Sequence, residues 1–384
     1  MSIRTVQLGN VCEVLMGQSP PSSTYNSAGT GLPFFQGKVD FGDTFPVTRV
    51  YCDAPTRTAD PGDILISVRA PVGPTNMARE RCCIGRGLSA LRPEPNLNAS
   101  FLLYFLRYHE PVLAQKGLGS TFAAINRDDL AETTLPLPDL PEQKRIAGIL
   151  EQADRLRRTR RYALELSDTL LPAAFLALFG DPAKGPKCPL VPFGELIKSG
   201  PQNGLYKPAS AYGSGTRIVR IDAYQNGEAI DFSELKRVRL SADEIATYGL
   251  NECDFLINRV NSRSHLGKST VVPRLSEPAV FESNMMRFRV DEQRLNPVYV
   301  ARFLQTPFLN AQIQKQAKDA SNQSSINQDD VEGFAILLPP AGQQRHFAAL
   351  VERHEHLRSK QREALRQAEH LFQSLLNRAF KEGL

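Results

Sequence analysis

The 384-residue chain has only six cysteines (Cys12, Cys52, Cys82, Cys83, Cys188 and Cys253), and no two of them stand in a C-x-x-C pair. A zinc site built on cysteine pairs therefore lacks its ligands, and reduced thiols in a cytosolic protein fit best. No uninterrupted apolar run reaches the ~18 residues expected of a membrane-spanning helix. The N-terminus MSIRTVQLGN has no apolar core and no small-residue cleavage site, so no secretory signal is expected. There is no G-x-x-x-x-G-K-[ST] for an ATP motor, and no Ser, His and Asp order stands out. An adenine methyltransferase needs an Asn-Pro-Pro-aromatic loop beside a glycine-rich turn. NPVY (296–299) comes near the former, but its counterpart earlier in the chain is NASF (98–101), and both read as helix N-caps. Charge is nearly balanced at +5, which permits a polyanionic partner without demanding one.

What the chain does have is a repeat. INRDDL (125–130) returns as INQDDV (326–331), and at that fixed offset residues 125–180 match 326–381 at 16 of 56 positions. Upstream, VQLGNV (6–11) echoes VPFGEL (191–196), PGDILIS (61–67) echoes ECDFLIN (252–258), and NASFLLYFL echoes NPVYVARFL, in the same order. The chain is thus a tandem duplication. The repeat also settles PLPDLPEQKR (136–145), which carries the lettering of a PD-(D/E)xK nuclease. The second copy, LLPPAGQQRH (337–346), has lost Asp139, Glu142 and the lysine. Two residues between Asp and Glu are also too few for adjacent strands to bring both acids to one metal. Both copies keep a proline-rich approach to a helix.

From Glu142, Ile146, Ile149, Leu150, Ala153 and Leu156 fall at spacings of three and four, and Phe347, Leu350, Val351 and Leu357 do so in the second copy. Each copy therefore ends in a long helix with one apolar stripe, which cannot be buried alone, and the economical solution is an antiparallel pair. Arg160, Gln361 and His354 interrupt that seam. Pro172 predicts a kink or early end near residue 171, and FGDP (179–182) a stop. The rest reads as β-rich, with strands expected at 63–68, 87–93, 254–260 and 285–290 and a short helix closing each part at 98–109 and 296–306.

Two variable β-rich parts, each followed by a P-L-P-x-L-x-E-Q-K-R-I-like entry and a long helix, resemble the specificity (S) subunits of type I restriction-modification enzymes. GSTFAAINRDDLAETTLPLPDLPEQKRIAGIL (119–150) is similar to that family's signature, and GDILISVRAPVG (62–73) and CIGRGLSALRP (83–93) to its target-recognition domains. Gly342, Gln343 and His346 depart from the pattern. The resemblance implies an α+β fold: a tandem repeat of two target-recognition domains, 1–140 and 185–340, each followed by a spacer helix, 141–184 and 341–384. The helices would pair as an antiparallel coiled coil with pseudo-two-fold symmetry. It further implies a non-catalytic subunit that reads a bipartite target in double-stranded DNA, the helices being a ruler between the domains and a platform for two methylation subunits and the restriction subunits. S-adenosylmethionine, ATP and Mg would then belong to those partners, with no cofactor or metal on this chain, no membrane, and a cytoplasmic location.

A DNA reader needs cations for phosphates and forked donors for base edges. The first half offers Gln36, Lys38, Ser67, Arg69, Arg79, Arg81 and Arg86. The second offers Arg217, Arg220, Asn258, Arg259, Asn261, Ser262, Arg263, His265 and Lys268. INRVNSRSHLGKS (257–269) is the strongest local signal and SVRAPVGPTNMARER (67–81) its counterpart; the alternative for both is a solvated loop beside a strand end. Arg155, Arg157, Arg158, Arg160 and Arg161 lie mid-helix, where phosphates, solvent or an acidic partner surface would all suit them. A nuclease or methyltransferase fused to recognition domains is the competing class.

Overall fold

The structure, a computed structural model, describes residues 4–117, 124–225, 227, 230–320 and 323–382, so residues 119–123 of the signature lie outside the described residues. The chain divides into two compact units, Met1–Leu164 with Lys360–Leu384, and Glu165–Ser359.

In the first unit a four-stranded antiparallel sheet runs in the order Cys12–Met16, Leu88–Pro93, Ile64–Ser67, Thr75–Met77. The run ILIS is buried throughout because both faces are covered. Ile64 and Ile66 face a core with Phe101, Leu102 and Phe105 of the helix Ala99–Gly117. Leu65, between them, faces Phe35 and Ile84 of a smaller sheet. In that smaller sheet Leu32–Phe35 lies parallel to Cys82–Ile84. The second unit repeats the design. Its four strands are Ile197–Asn203, Met285–Val290, Phe255–Asn258 and Ser269–Val271, in that order. Phe255 and Ile257 face Tyr299 and Phe303, Leu256 faces Phe281, and Tyr212–Val219 lies parallel to Ala279–Phe281.

The repeated letters have repeated jobs. Asn126 and Asn327 cap short helices in capping boxes closed by Asp129 and Asp330. The strands that follow, Thr134–Pro136 and Ala335–Leu337, pair with Thr5–Gln7 and Leu190–Pro192, so the two units are closed by equivalent strand pairs. Gln143 and Gln344 are fully buried and make the same three bonds. Gln143 accepts the Asn98 N–H (2.8 Å) and donates to the Asn96 and Pro138 carbonyls (3.0 and 2.9 Å). Gln344 accepts the Asn296 N–H (2.7 Å) and donates to the Arg294 and Pro339 carbonyls (3.0 and 2.8 Å). Asn98 and Asn296 are N-caps as read. The acids of PLPDLPEQKR serve the helix: Asp139 accepts the Glu142 N–H at 3.0 Å, and Glu142 pairs with Arg145 at 2.7 Å.

The first long helix covers Leu140–Ser167 and, after Asp168 and Thr169, resumes over Leu170–Phe179. The break comes a few residues ahead of Pro172, which has no N–H for the carbonyl of Asp168 and whose ring crowds it. Gly180, at φ +77°, ends the run. The second long helix, Ala341–Asn377, is unbroken. Antiparallel contacts occur inside each unit. In the first, Arg157 lies over Phe372 (4.2 Å) and Arg161 pairs with Glu369 (3.1 Å). In the second, Phe175 and Phe179 pack on Phe347, and Asp168 pairs with Arg358 (2.6 Å).

The long helices also contribute to the cores: Ile146, Leu150, Phe372 and Leu376 belong to the first core, and Leu171, Phe175, Phe347 and Val351 to the second. Two expectations change. The helix expected at 98–109 continues to Gly117, and the one at 296–306 becomes two, because Thr306 caps a new helix that opens with Pro307. Finally, Leu140–Phe179 is long and apolar enough by length and composition to cross a membrane. Its polar residues are spread so that no uninterrupted run showed it, and its Leu171, Phe175 and Phe179 are core residues of the second unit.

Candidate nucleic-acid interface

The two loops singled out in the sequence occupy the same place in the two units. Residues 68–74 join the strands Ile64–Ser67 and Thr75–Met77; residues 259–268 join Phe255–Asn258 and Ser269–Val271. Both loops are anchored alike. The Val68 N–H donates to the Gly87 carbonyl and the Val68 carbonyl accepts from Ile125; the Arg259 N–H donates to Asn284 and the Arg259 carbonyl accepts from Ile326.

Burial divides the candidates. Gln36, Lys38, Arg69, Arg79 and Arg86 are exposed, with Arg79 5.9 Å from the ring of Phe45 and Arg81 3.7 Å from Asp60. Ser67 must be withdrawn from the exposed set: it is buried and its hydroxyl donates to the Arg69 carbonyl at 3.0 Å, closing its own turn. Asn258, its equivalent, is withdrawn for the same reason, since it is fully buried and accepts the Tyr224 hydroxyl at 2.9 Å. Lys268 is also internal. Its ammonium donates to the Ile221 and Tyr224 carbonyls, both at 2.6 Å, over the Tyr224 ring, and burial pushes its pKa down. A lysine can sit there because two carbonyls replace its water.

Others are partly committed. Arg217 pairs with Glu277 at 2.6 Å. Arg263 pairs with Asp319 and donates to the Gln314 carbonyl at 2.9 Å, tying the loop to a neighbouring helix end. Arg259 donates to the Ser283 carbonyl at 3.1 Å. Asn261 accepts the Ser262 N–H, and Ser262 in turn bonds His265 Nδ1 at 2.9 Å. Arg220 lies 5.8 Å over Tyr212, with Glu282 and Asp222 at 3.7 and 3.8 Å and its Nε buried without a hydrogen bond. Of the mid-helix arginines, Arg157 and Arg158 are held by Asp154 (2.6 and 3.5 Å) and Arg161 by Glu369.

Sequence reasoning missed a groove of about 350 Å³ in the second unit, lined by Tyr206, Lys207, Arg220, Lys236, Ser283 and Asn284. Tyr206 is 78% exposed, an unusual position for a large aromatic side chain. Glu282 forms its floor, accepting the Ile221 N–H at 2.7 Å, and burial raises its carboxyl pKa. The signal available was NGLYKP (203–208), an aromatic and a cation just after a glycine. Cations, an exposed ring and amide and hydroxyl donors around one groove suit a phosphate backbone and base edges.

Comparisons with known proteins agree with this arrangement. Residues 3–166 match the type I restriction modification DNA specificity domain. A type I restriction enzyme specificity subunit (MjaX) of Methanocaldococcus jannaschii is 45% identical over 159 residues, 41% of this chain but only 37% of that relative. The StySPI specificity subunit of Salmonella potsdam is 23% identical over 322 residues, 79% of this chain and 69% of that one. The fold follows that of the type I restriction-modification S subunit from M. genitalium, with a TM-score of 0.62 at 16% identity over 99% of this chain and 96% of that one. Residues 3–166 thus match a type I restriction modification DNA specificity domain, and the chain as a whole shares the fold of that solved S subunit.

Proposed function

We propose that this chain is the DNA-recognition subunit of a type I restriction-modification complex and that each unit reads one half of a bipartite target in double-stranded DNA. The observation that carries this reading is the repetition of one framework with different side chains in the corresponding loops. Two readers built alike but lettered differently suit two different half-sites. The exposed cations of both units supply the phosphate contacts.

Methylation and restriction subunits are the partners in this reading, and S-adenosylmethionine, ATP and Mg act on them. Leu166, Leu170 and Leu176, exposed on the second unit's share of the first long helix, offer those partners an apolar surface. Chemistry on this chain itself is the second reading, and the acids of PLPDLPEQKR speak against it, being a helix cap and an ion pair. Location in the cytoplasm follows from this role.

The test is methylome sequencing of cells carrying the chain with methylation subunits, against cells with the methylation subunits alone. A bipartite methylated motif that appears only with the chain is the expected result. No motif, or methyl transfer by the purified chain alone, overturns the reading.

A further inference from the structure

The two units can be superposed residue by residue through their hydrogen bonds, without reference to sequence identity. Gly17 and Gly204 donate to the carbonyls of Leu88 and Met285, at 2.9 and 3.0 Å. Gln18 and Leu205 donate to those of Ile84 and Phe281, at 3.0 and 3.1 Å, and Gly85 and Glu282 to those of Phe35 and Val219, at 2.8 and 3.0 Å. A Cβ on either glycine would strike the next strand's backbone: at Gly17 it would come 2.2 Å from the Gly85 carbonyl oxygen, and at Gly204 2.1 Å from that of Glu282. Glycine at both places lets the segment cross close to the strand end. Downstream, both segments pass through a proline, Pro21 or Pro208, into a single 3₁₀ turn that ends at Tyr25 or Tyr212.

The equivalences follow. Ser19 stands where Tyr206 stands, Gln36 where Arg220 stands, and the loop Gly85-Arg86-Gly87 where Glu282-Ser283-Asn284 stands. In the first unit these parts touch, since the Arg86 N–H donates to the Ser19 hydroxyl at 3.2 Å. In the second they line the groove described above. The backbone is the same, yet the side chains differ in every respect that matters to a base edge: a hydroxyl against a phenol ring, an amide against a guanidinium, an arginine against a serine and an asparagine. Arg is a bidentate donor for guanine, Gln and Asn pair with adenine, and a phenol ring stacks or wedges.

We infer that this groove, and the equivalent surface of the first unit, is where each unit reads bases, with Arg86 and Gln36 as specificity-determining residues of the first unit and Tyr206 and Asn284 as those of the second. The inference rests on the DNA-recognition reading and goes beyond it by moving sequence reading from the loops 67–81 and 257–269 to this groove.

The experiment uses the full chain assembled with methylation subunits. Once the native motif is known, affinities are measured for duplexes carrying each single-base change in it, for the native complex, Arg86→Ala, Tyr206→Ala and Asn284→Ala. Tyr206 and Arg86 are exposed, so folding is expected to survive both substitutions; Asn284→Ala gives an independent variant in the same groove. The expected result is that Arg86→Ala loses discrimination of about tenfold or more at positions of one half only, and that Tyr206→Ala and Asn284→Ala lose it at positions of the other half only. Unchanged discrimination with all three variants overturns the inference, as does a uniform drop on every duplex, which would mark phosphate contacts. A native complex with no bipartite motif would instead overturn the DNA-recognition reading itself, so the two failures are distinguishable.

Discussion

Lys268 shows what a single side chain does when its surroundings are not those its neighbours in sequence suggest. It follows three residues after His265 in a polar loop, yet its ammonium is inside, donating to the Ile221 and Tyr224 carbonyls. Burial lowers its pKa in the fold. Between that lowered value and the ordinary one of about 10.4 the unfolded chain holds the proton more tightly, so stability rises with pH across that window. Lys268→Met lacks this slope. Denaturant unfolding followed by far-UV circular dichroism, as the chain has no tryptophan, should show the native chain gaining on the variant as pH rises toward 10. A constant difference would mean that the ammonium pays no burial cost.

At the scale of elements, each long helix is fixed to its unit by an acid 11 residues, about three turns, beyond the glutamine clamp. Asp154 is fully buried and faces Arg107 at 2.9 Å, Arg157 at 2.6 Å and Arg158 at 3.5 Å, joining the helix Leu140–Ser167 to the helix Ala99–Gly117. Its counterpart Glu355 bonds Arg302 at 2.6 Å but is 41% exposed. The same device thus stands in a dry and a wet setting. Asp154→Ala leaves three half-buried guanidinium groups together without their buried acid and should cost about 3–5 kcal/mol. Glu355→Ala breaks a solvated pair and should cost at most about 1 kcal/mol. Thermal unfolding of the two variants checks the ordering, and equal losses would contradict it.

At the scale of the whole molecule the chain order and the fold order differ. The first unit takes its last residues from 360 onward: Phe372 and Leu376 lie in its core, and Phe380 packs on Phe101, Phe105 and Tyr108. The second unit is continuous from Glu165 to Ser359. A chain ending at Ser359 should therefore damage the unit that is made first and spare the one made second. Losing Phe372 and Leu376 alone removes roughly 1.5–3 kcal/mol of burial apiece. Hydrogen exchange should show lost protection in Ile64–Ser67 and retained protection in Phe255–Asn258. Protection kept in both strands would show that the closing segment is dispensable.

The sequence by itself determined the duplication, the helix entries, the caps at Asn98 and Asn296, and the interruption ahead of Pro172. All of these depend on residues within a turn or two of one another, or on a period that repeats along the chain, so they are legible without knowing what lies across the fold. The resemblance carried by those features pointed to the DNA specificity domain that matches residues 3–166. Only the tertiary structure decided which polar residues are available. Asn258 and Lys268 share a polar stretch with Arg259 and Asn261, but the first two point into cores built by Tyr224 and Ile221, more than thirty positions away. Tyr206 is the reverse case: an aromatic that composition would place inside is left in solvent by a glycine crossing. Burial is set by what the rest of the chain brings alongside, and that information is spread over the whole fold rather than written beside the residue.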